Sequence, residues 1–234
     1  MTTFALILPA AGSGTRLGSA VPKPFLEIAG RSILEVTISR FTACRELAQI
    51  VIPVARPWRE RVEEILGRCF PHVPAHVVDG GAERQDSIRN ALRQVDAAVP
   101  YVAVHDAVRP FVPSETVRRC LRAACEHGAA IVAVPAKDTI KRAGGTPEDP
   151  HVLDTPDRSD LWQAQTPQIF STEILRTAYA QAAADGFTGT DDASLVERLG
   201  VNVRLVAGPR ENLKITFPVD LRLAELLMRE EAGA

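Results

Sequence analysis

Apolar residues in this chain come in short unbroken runs, separated by longer stretches where they recur every three or four positions. The runs at 4–8, 50–54, 76–78, 101–104, 130–134 and 201–206 read as strands, the first of them Phe4, Ala5, Leu6, Ile7 and Leu8. Between them lie helix patterns. Ser32 and Glu35 form a capping box ahead of Ile33, Leu34, Ile38 and Phe41. Pro57 precedes a helix at 58–66, another covers 86–95, and the helix at 114–127 is closed by Gly128. Further helices are expected at 171–184, at 191–199 behind a Thr190 cap, and as an amphipathic segment at 218–231. The alternation predicts an α/β fold: a mostly parallel sheet with helices on both faces. Ligands then sit at the carboxyl ends of the strands, where Pro9–Gly18, Asp79-Gly80-Gly81 and His105-Asp106 all fall.

The rhythm breaks between Pro135 and Phe170. Residues 138–142 are strand-like, 144–150 are turn-rich, and 151–155 return as an antiparallel partner. This predicts a protruding β-hairpin arm at 136–159 on a single domain spanning 1–234. A two-stranded arm is marginal alone, so it is expected to pack against a second copy of the chain.

Composition narrows the class. At 234 residues and 46% hydrophobic content the chain can bury a sizeable core. A formal net charge of −2 argues against a general nucleic-acid or membrane-surface binder, so local basic clusters must hold any anion. Cys44, Cys69, Cys120 and Cys125 form no CxxC pair and have no histidine at zinc spacing, which points to thiols in a reducing compartment. The 4–8 run is too short and lacks a basic flank for a signal peptide, and no run approaches the roughly 20 residues of a membrane helix. Cytoplasm is the expected location.

The most telling chemistry is the loop after the first strand. Ala10-Ala11-Gly12-Ser13-Gly14-Thr15-Arg16 leads to Pro22-Lys23-Pro24. Backbone N–H groups bared by glycine, with two cations nearby, suit a polyphosphate. A Walker A loop fails, because Gly18 is followed by Ser19 and Lys23 by Pro24. A dinucleotide fingerprint fits Gly12 and Gly14 but places the third glycine one position late, at Gly18. The nucleotidyltransferase pattern Ala-Ala-Gly-x-Gly-x-Arg with Pro-Lys-Pro fits throughout.

Further polar clusters follow: Asp79 to Ser87, His105 to Pro110, Asp157-Arg158, Gln165 to Gln168, Thr190 to Ser194 and Glu211 to Thr216. Taken with the opening loop, in order and spacing, they resemble the 2-C-methyl-D-erythritol 4-phosphate cytidylyltransferases. The resemblance runs from about Leu6 to Leu227. It implies a Rossmann-like sheet, a homodimer joined by swapped arms, CTP and Mg²⁺, and cytidylyl transfer from CTP to 2-C-methyl-D-erythritol 4-phosphate. It also implies that Ala10, Ala11, Gly12, Gly81 and Ser87 hold the nucleotide, and that Arg16 and Lys23 grip the triphosphate. By the same resemblance Asp106 lies beside the metal, while Arg109, Thr139, Arg158, Thr166 and Thr190 surround the polyol phosphate with Lys214. Thr139 and Arg158 would reach over from the partner.

Physical chemistry gives these positions separate meanings. A phosphate monoester, with its second pKa near ~6, is mostly dianionic at neutral pH and needs no general base. His105 is therefore read as structural. What remains is positioning and charge neutralisation, with Lys214, in a strand-like run, expected to stabilise the transferring phosphate. Asp106 and Arg109 either serve a metal and an anion or simply pair with each other. Glu83 and Arg84 read as a surface pair, and Ser87 either caps a helix or touches the nucleotide. Pro156 stands where the family commonly has valine, which bears on where Arg158 is placed. Three alternatives stay open: a ribitol-5-phosphate cytidylyltransferase, a non-catalytic nucleotide-binding module, and a nicotinamide-dependent reductase.

Overall fold

The computed structural model of the chain describes residues 2–12 and 21–233. Strand β1 (Phe4–Ile7) is followed by a small antiparallel pair, β2 (Glu27–Ile28) and β3 (Arg31–Ser32). Ser32 caps α1 (Ile33–Thr42), its Oγ accepting the Glu35 N–H at 3.2 Å. The other half of the box is not made, since Glu35 pairs with Arg31 at 2.9 Å. The alternation then proceeds as the pattern predicts: β4 (Leu47–Val54), α2 (Arg59–Cys69), β5 (Ala75–Asp79), α3 (Arg84–Leu92), β6 (Tyr101–Val104), α4 (Ser114–His127) and β7 (Ala129–Pro135).

The arm is a hairpin of β8 (Arg142–Gly145) and β9 (Pro150–Asp154), a sheet of its own. Its first strand begins at Arg142 rather than at 138, because β9 pairs no further than Asp154 opposite Arg142. A strand that the pattern misses comes next: β10 (Trp162–Ser171), followed by α5 (Thr172–Ala184), α6 (Asp192–Glu197), β11 (Arg204–Ala207) and α7 (Pro218–Gly233). The main sheet has seven strands in the order β11-β7-β10-β6-β1-β4-β5. β10 runs antiparallel to both of its neighbours, and the other pairings are parallel.

Burial on both faces explains the unbroken apolar runs. Phe4, Leu6, Ile50, Ile52 and Ala103 turn to one side and pack with α1, α2 and α4. Ala5, Ile7, Val51, Val102 and Val104 turn to the other and pack with residues of α3, α5 and α6. Gln163, Gln165, Thr166, Pro167 and Gln168 hide β10 from a pattern reading, since polar residues and a proline argue against a central strand. The ladder between β10 and β7 is irregular between Ala164 and Gln168, where Pro167 lacks an N–H.

Two other expectations are corrected. α6 opens at Asp192, so the cap falls on Asp191, whose carboxylate accepts the Ser194 N–H at 2.9 Å; Thr190 lies outside. Residues 212–216, around Lys214, form a loop and not a strand. Ile215 is tied to the Val108 carbonyl at 3.0 Å and buried in a third cluster beneath α7, with the half-buried Leu213 packed against it.

Gly128 ends α4 at φ 83°, its N–H reaching the Ala124 carbonyl at 2.7 Å. Gly128→Ala should lower folding stability by about 1 kcal/mol or more, the cost of a Cβ in the left-handed region. A reduced urea midpoint with an unchanged slope is the expected result.

Candidate active site

A cleft of about 670 Å³ opens where β1, β5 and β6 end. Its walls bring together Ala10, Ala11, Gly12, Lys23, Gly81, Ser87, Asp106 and Lys214, eight of the residues singled out from the sequence. Arg16 and the glycines at 14 and 18 lie outside the described residues. The loops after β1 and β5 touch closely: a Cβ on Gly80 would stand 2.3 Å from the Cβ of Ala11, so only glycine fits. The Ser87 hydroxyl accepts the Gly81 N–H at 2.9 Å and donates to the Glu83 carbonyl at 3.1 Å. Ser87 lies in the first turns of α3 and pins this loop against the cleft. Lys23 donates from Nζ to the Thr216 carbonyl at 2.9 Å, which joins the opening segment to the Lys214 loop.

Asp106, just beyond β6, is the electrostatic centre. One of its oxygens lies 3.1 Å from both Lys214 Nζ and Arg109 Nε, and the other lies 3.7 Å from Arg84 Nε. Burial opposes its charge, but Lys214, Arg84 and Arg109 together outweigh that and hold the carboxyl well below the usual carboxylate range. Asp106 and Arg109 therefore do pair, yet the pair belongs to a larger cluster. Arg84 is not a surface partner of Glu83. It grips Asp192 at 2.8 Å, and the fully buried Asp192 also accepts the Tyr179 hydroxyl. One carboxylate facing three cations, one of them shared with Asp192, leaves surplus positive charge along the wall. That surplus suits phosphate.

The cluster is held from behind by β10. The Thr166 hydroxyl accepts the Asp106 N–H at 3.1 Å and meets His105 Nδ1 at 2.9 Å. His105 Nε2 lies 3.0 Å from the Arg109 carbonyl, which can only accept. Nε2 therefore carries the proton, Nδ1 takes the Thr166 proton, and the ring is neutral. Burial pushes its pKa down to about 4, although the hydrogen bond to the Arg109 carbonyl favours the protonated ring. His105 is structural, as expected. Arg109 also donates to the Asn212 carbonyl at 2.9 Å, and the buried Asn212 side chain donates to Gln165 Oε1 and the Thr166 carbonyl, both at 2.9 Å. Gln168 bonds Asp191 at 2.8 Å and the Ala193 N–H at 3.0 Å.

Five sequence-predicted positions do not line this cleft, Arg109 among them: it pairs with Asp106 but lines a neighbouring hollow with Gln165, Arg210 and Asn212. Thr166 lies directly beneath Asp106, as just described. Thr190 is exposed beside the α6 cap. Thr139 and Arg158 are exposed at the base of the arm, with Arg158 donating to the Lys137 carbonyl at 3.0 Å. Asp79 turns away from the cleft to Arg56 and Arg59, each at 3.0 Å. Conversely, Arg84, read from the sequence as a surface residue, joins the site, as do Asp192 and Asn212, which were given no site role. A second acidic residue after a helix cap, where one suffices, was the only sign of Asp192.

A mostly parallel sheet, a small-residue loop after its first strand, and a cationic wall built on one buried carboxylate define a nucleotidyltransferase of Rossmann-like fold. Comparison with known proteins makes the assignment specific. The chain belongs to the 2-C-methyl-D-erythritol 4-phosphate cytidylyltransferase family, whose family model matches residues 4–230. It is 48% identical to the Symbiobacterium thermophilum enzyme of that name, over 97% of this chain and 93% of the relative. Identity to the Solibacter usitatus enzyme is 43%, covering 98% and 97%. Among solved structures, the Thermus thermophilus enzyme aligns with TM-score 0.76 at 36% identity, over 98% and 100% of the two chains. The Anaerococcus prevotii 4-diphosphocytidyl-2C-methyl-D-erythritol synthase aligns with TM-score 0.86 at 28% identity, over 97% and 96%.

The neutral His105 makes stability depend on pH. Its folded pKa of about 4 lies below the ordinary value near ~6.5. Between these values the unfolded chain takes up a proton that the folded chain refuses, so stability falls as pH drops through that window, by about 3 kcal/mol at most. Below it the depressed Asp106 carboxyl adds a further loss in the same direction. His105→Asn should flatten the slope of unfolding free energy between pH ~6.5 and 4, measured by urea titration at successive pH values.

Proposed function

We propose that the enzyme transfers the cytidylyl group of CTP to 2-C-methyl-D-erythritol 4-phosphate. The products are 4-diphosphocytidyl-2-C-methyl-D-erythritol and pyrophosphate. The observation that carries this reading is the Asp106 cluster: Lys214 and Arg109 are each 3.1 Å from one carboxylate oxygen, and Asp106 and Lys214 line the cleft with Ala10–Gly12 and Gly81.

A phosphate oxygen of the polyol attacks the α-phosphorus in line, the bond to the bridging oxygen breaks, and pyrophosphate leaves with the electron pair. No proton has to move and no covalent enzyme intermediate forms. Ala10, Ala11, Gly12, Gly81 and Ser87 seat the nucleotide. Lys23, with Arg16, neutralises the triphosphate. Asp106 holds Lys214 and Arg109 in place, Lys214 stabilises the charge on the reacting phosphate, and Arg109 meets the incoming phosphate. Thr166 acts by fixing Asp106, and Thr190, exposed beside the α6 cap, contacts the polyol phosphate.

The donor set suits Mg²⁺ brought in with the triphosphate. Mg²⁺ beside phosphate typically needs only one or two carboxylates, and the Asp106 oxygen that faces Arg84 at 3.7 Å is not the one that Lys214 and Arg109 take up. Asp106 would hold it, and it would supply charge neutralisation across the phosphates. The arm, 136–159, exposes Val152 and Leu153 at 58% and 59%, apolar surface that favours a homodimer in which Thr139 and Arg158 complete the partner's site. The four cysteines are free thiols, which fits a reducing, cytoplasmic setting.

Pyrophosphate release from CTP, followed in parallel with 2-C-methyl-D-erythritol 4-phosphate and ribitol 5-phosphate, tests the assignment. Turnover with the first and little with the second is expected; the reverse preference would replace it with the ribitol reading, and CTP binding without release with a binding module. Lys214→Ala should cut kcat by about 10²–10³ with little change in Tm. The shared site has its own test. Mixing inactive Arg158→Ala and Arg16→Ala chains should restore part of the activity through hybrid dimers, and no recovery after demonstrated subunit exchange would exclude it.

A further inference from the structure

A second cavity, of about 570 Å³, lies away from the cleft, between α3 and α5. Arg89 on α3 and Arg93, the cap just past its last residue, stand four residues apart on one side, and Arg176 faces them from α5. Leu92, Tyr179 and Ala183 supply apolar surface between them. Three guanidinium groups gather round one open hollow, Arg93 and Arg176 exposed and Arg89 half-buried, and the chain pairs only one of them with a carboxylate. Arg89 meets Asp86 at 2.8 Å, while its own Nε is buried without a hydrogen-bond partner. Arg93 reaches only the Asn90 amide oxygen at 3.5 Å. Arg176 donates to the carbonyls of Val95 and Leu92, at 2.8 and 3.5 Å. Among the described residues no carboxylate forms an ion pair with Arg93 or Arg176. Planar forks of this kind suit the oxygens of a phosphate.

The cavity is also wired to the catalytic wall. Tyr179 lines it, and the same residue's hydroxyl donates to Asp192. Asp192 holds Arg84 at 2.8 Å, and Arg84 faces Asp106 at 3.7 Å. A ligand that displaces the Tyr179 ring therefore shifts a cation of the active cluster.

We propose that the hollow between α3 and α5 is an effector site for a phosphate ester with a small apolar body, and that its occupancy changes nucleotide binding through Tyr179, Asp192 and Arg84. This holds whichever polyol phosphate the cleft uses. Phenyl phosphate is a suitable probe, with inorganic phosphate and phenol as its two halves. Titration calorimetry should show saturable binding of phenyl phosphate and weaker binding of either half. Arg93→Glu removes a cation, and Ala183→Trp fills the hollow from an exposed helix position; each should weaken phenyl phosphate binding roughly tenfold or more, the scale of one charge-assisted contact. Lys214→Ala, altered only in the cleft, should bind it as the parent does. In the pyrophosphate-release assay, saturating phenyl phosphate should change the KM for CTP of the parent and not that of Arg93→Glu. Absence of saturable binding, binding that survives either cavity variant, loss of binding in Lys214→Ala, inorganic phosphate binding as tightly as the ester, or an unchanged KM would each overturn the proposal.

Discussion

A buried carboxylate is costly unless its charge is answered, and the answer at Asp106 organises the whole cleft. Three cations reach it from separate parts of the chain: Arg84 from α3, Arg109 from the turn after β6, and Lys214 from the loop at 212–216. Each alone would be a mobile surface side chain. Gathered on one carboxylate they become an oriented wall with positive charge in excess. Pre-set charge of this kind suits phosphoryl chemistry, because it needs no reorganisation when the reacting phosphates arrive.

β10 makes that arrangement rigid. An antiparallel strand inserted between two parallel ones presents its polar side chains to the loops at the carboxyl edge of the sheet. Thr166 holds the Asp106 amide, Gln165 accepts from Asn212 under the Arg109 loop, and Gln168 holds the start of α6. Buried polar groups that are mutually satisfied fix a geometry more sharply than apolar packing does. His105, kept neutral by burial, is one link in this support, so acid weakens the fold at the same place where it begins to discharge the site.

The charge network does not stop at the cleft. Asp192 carries it through Arg84 to Tyr179 and thus to the far side of α3, where a second group of guanidinium groups stands around an apolar hollow. On the proposal above, this chain of paired charges and a buried hydroxyl is the route from the hollow to the cationic wall of the cleft.

The alternation of strands and helices up to β7, the two-faced burial of the sheet and the family were legible in the sequence. They rest on local patterns: unbroken apolar runs, helical periodicity, caps, and short motifs of glycine and charge. β10, the Asp191 cap, the loop at Lys214 and the pairings of Arg84 and Asp192 were not. Gln165, Thr166 and Gln168 look like surface residues along the chain, because their burial is compensated by partners about 20 to 60 positions away. Arg84 and Asp192 are 108 residues apart. Local pattern reports which faces must leave water; only the tertiary structure decides which distant polar groups meet, since each is tolerated inside solely because the other is there.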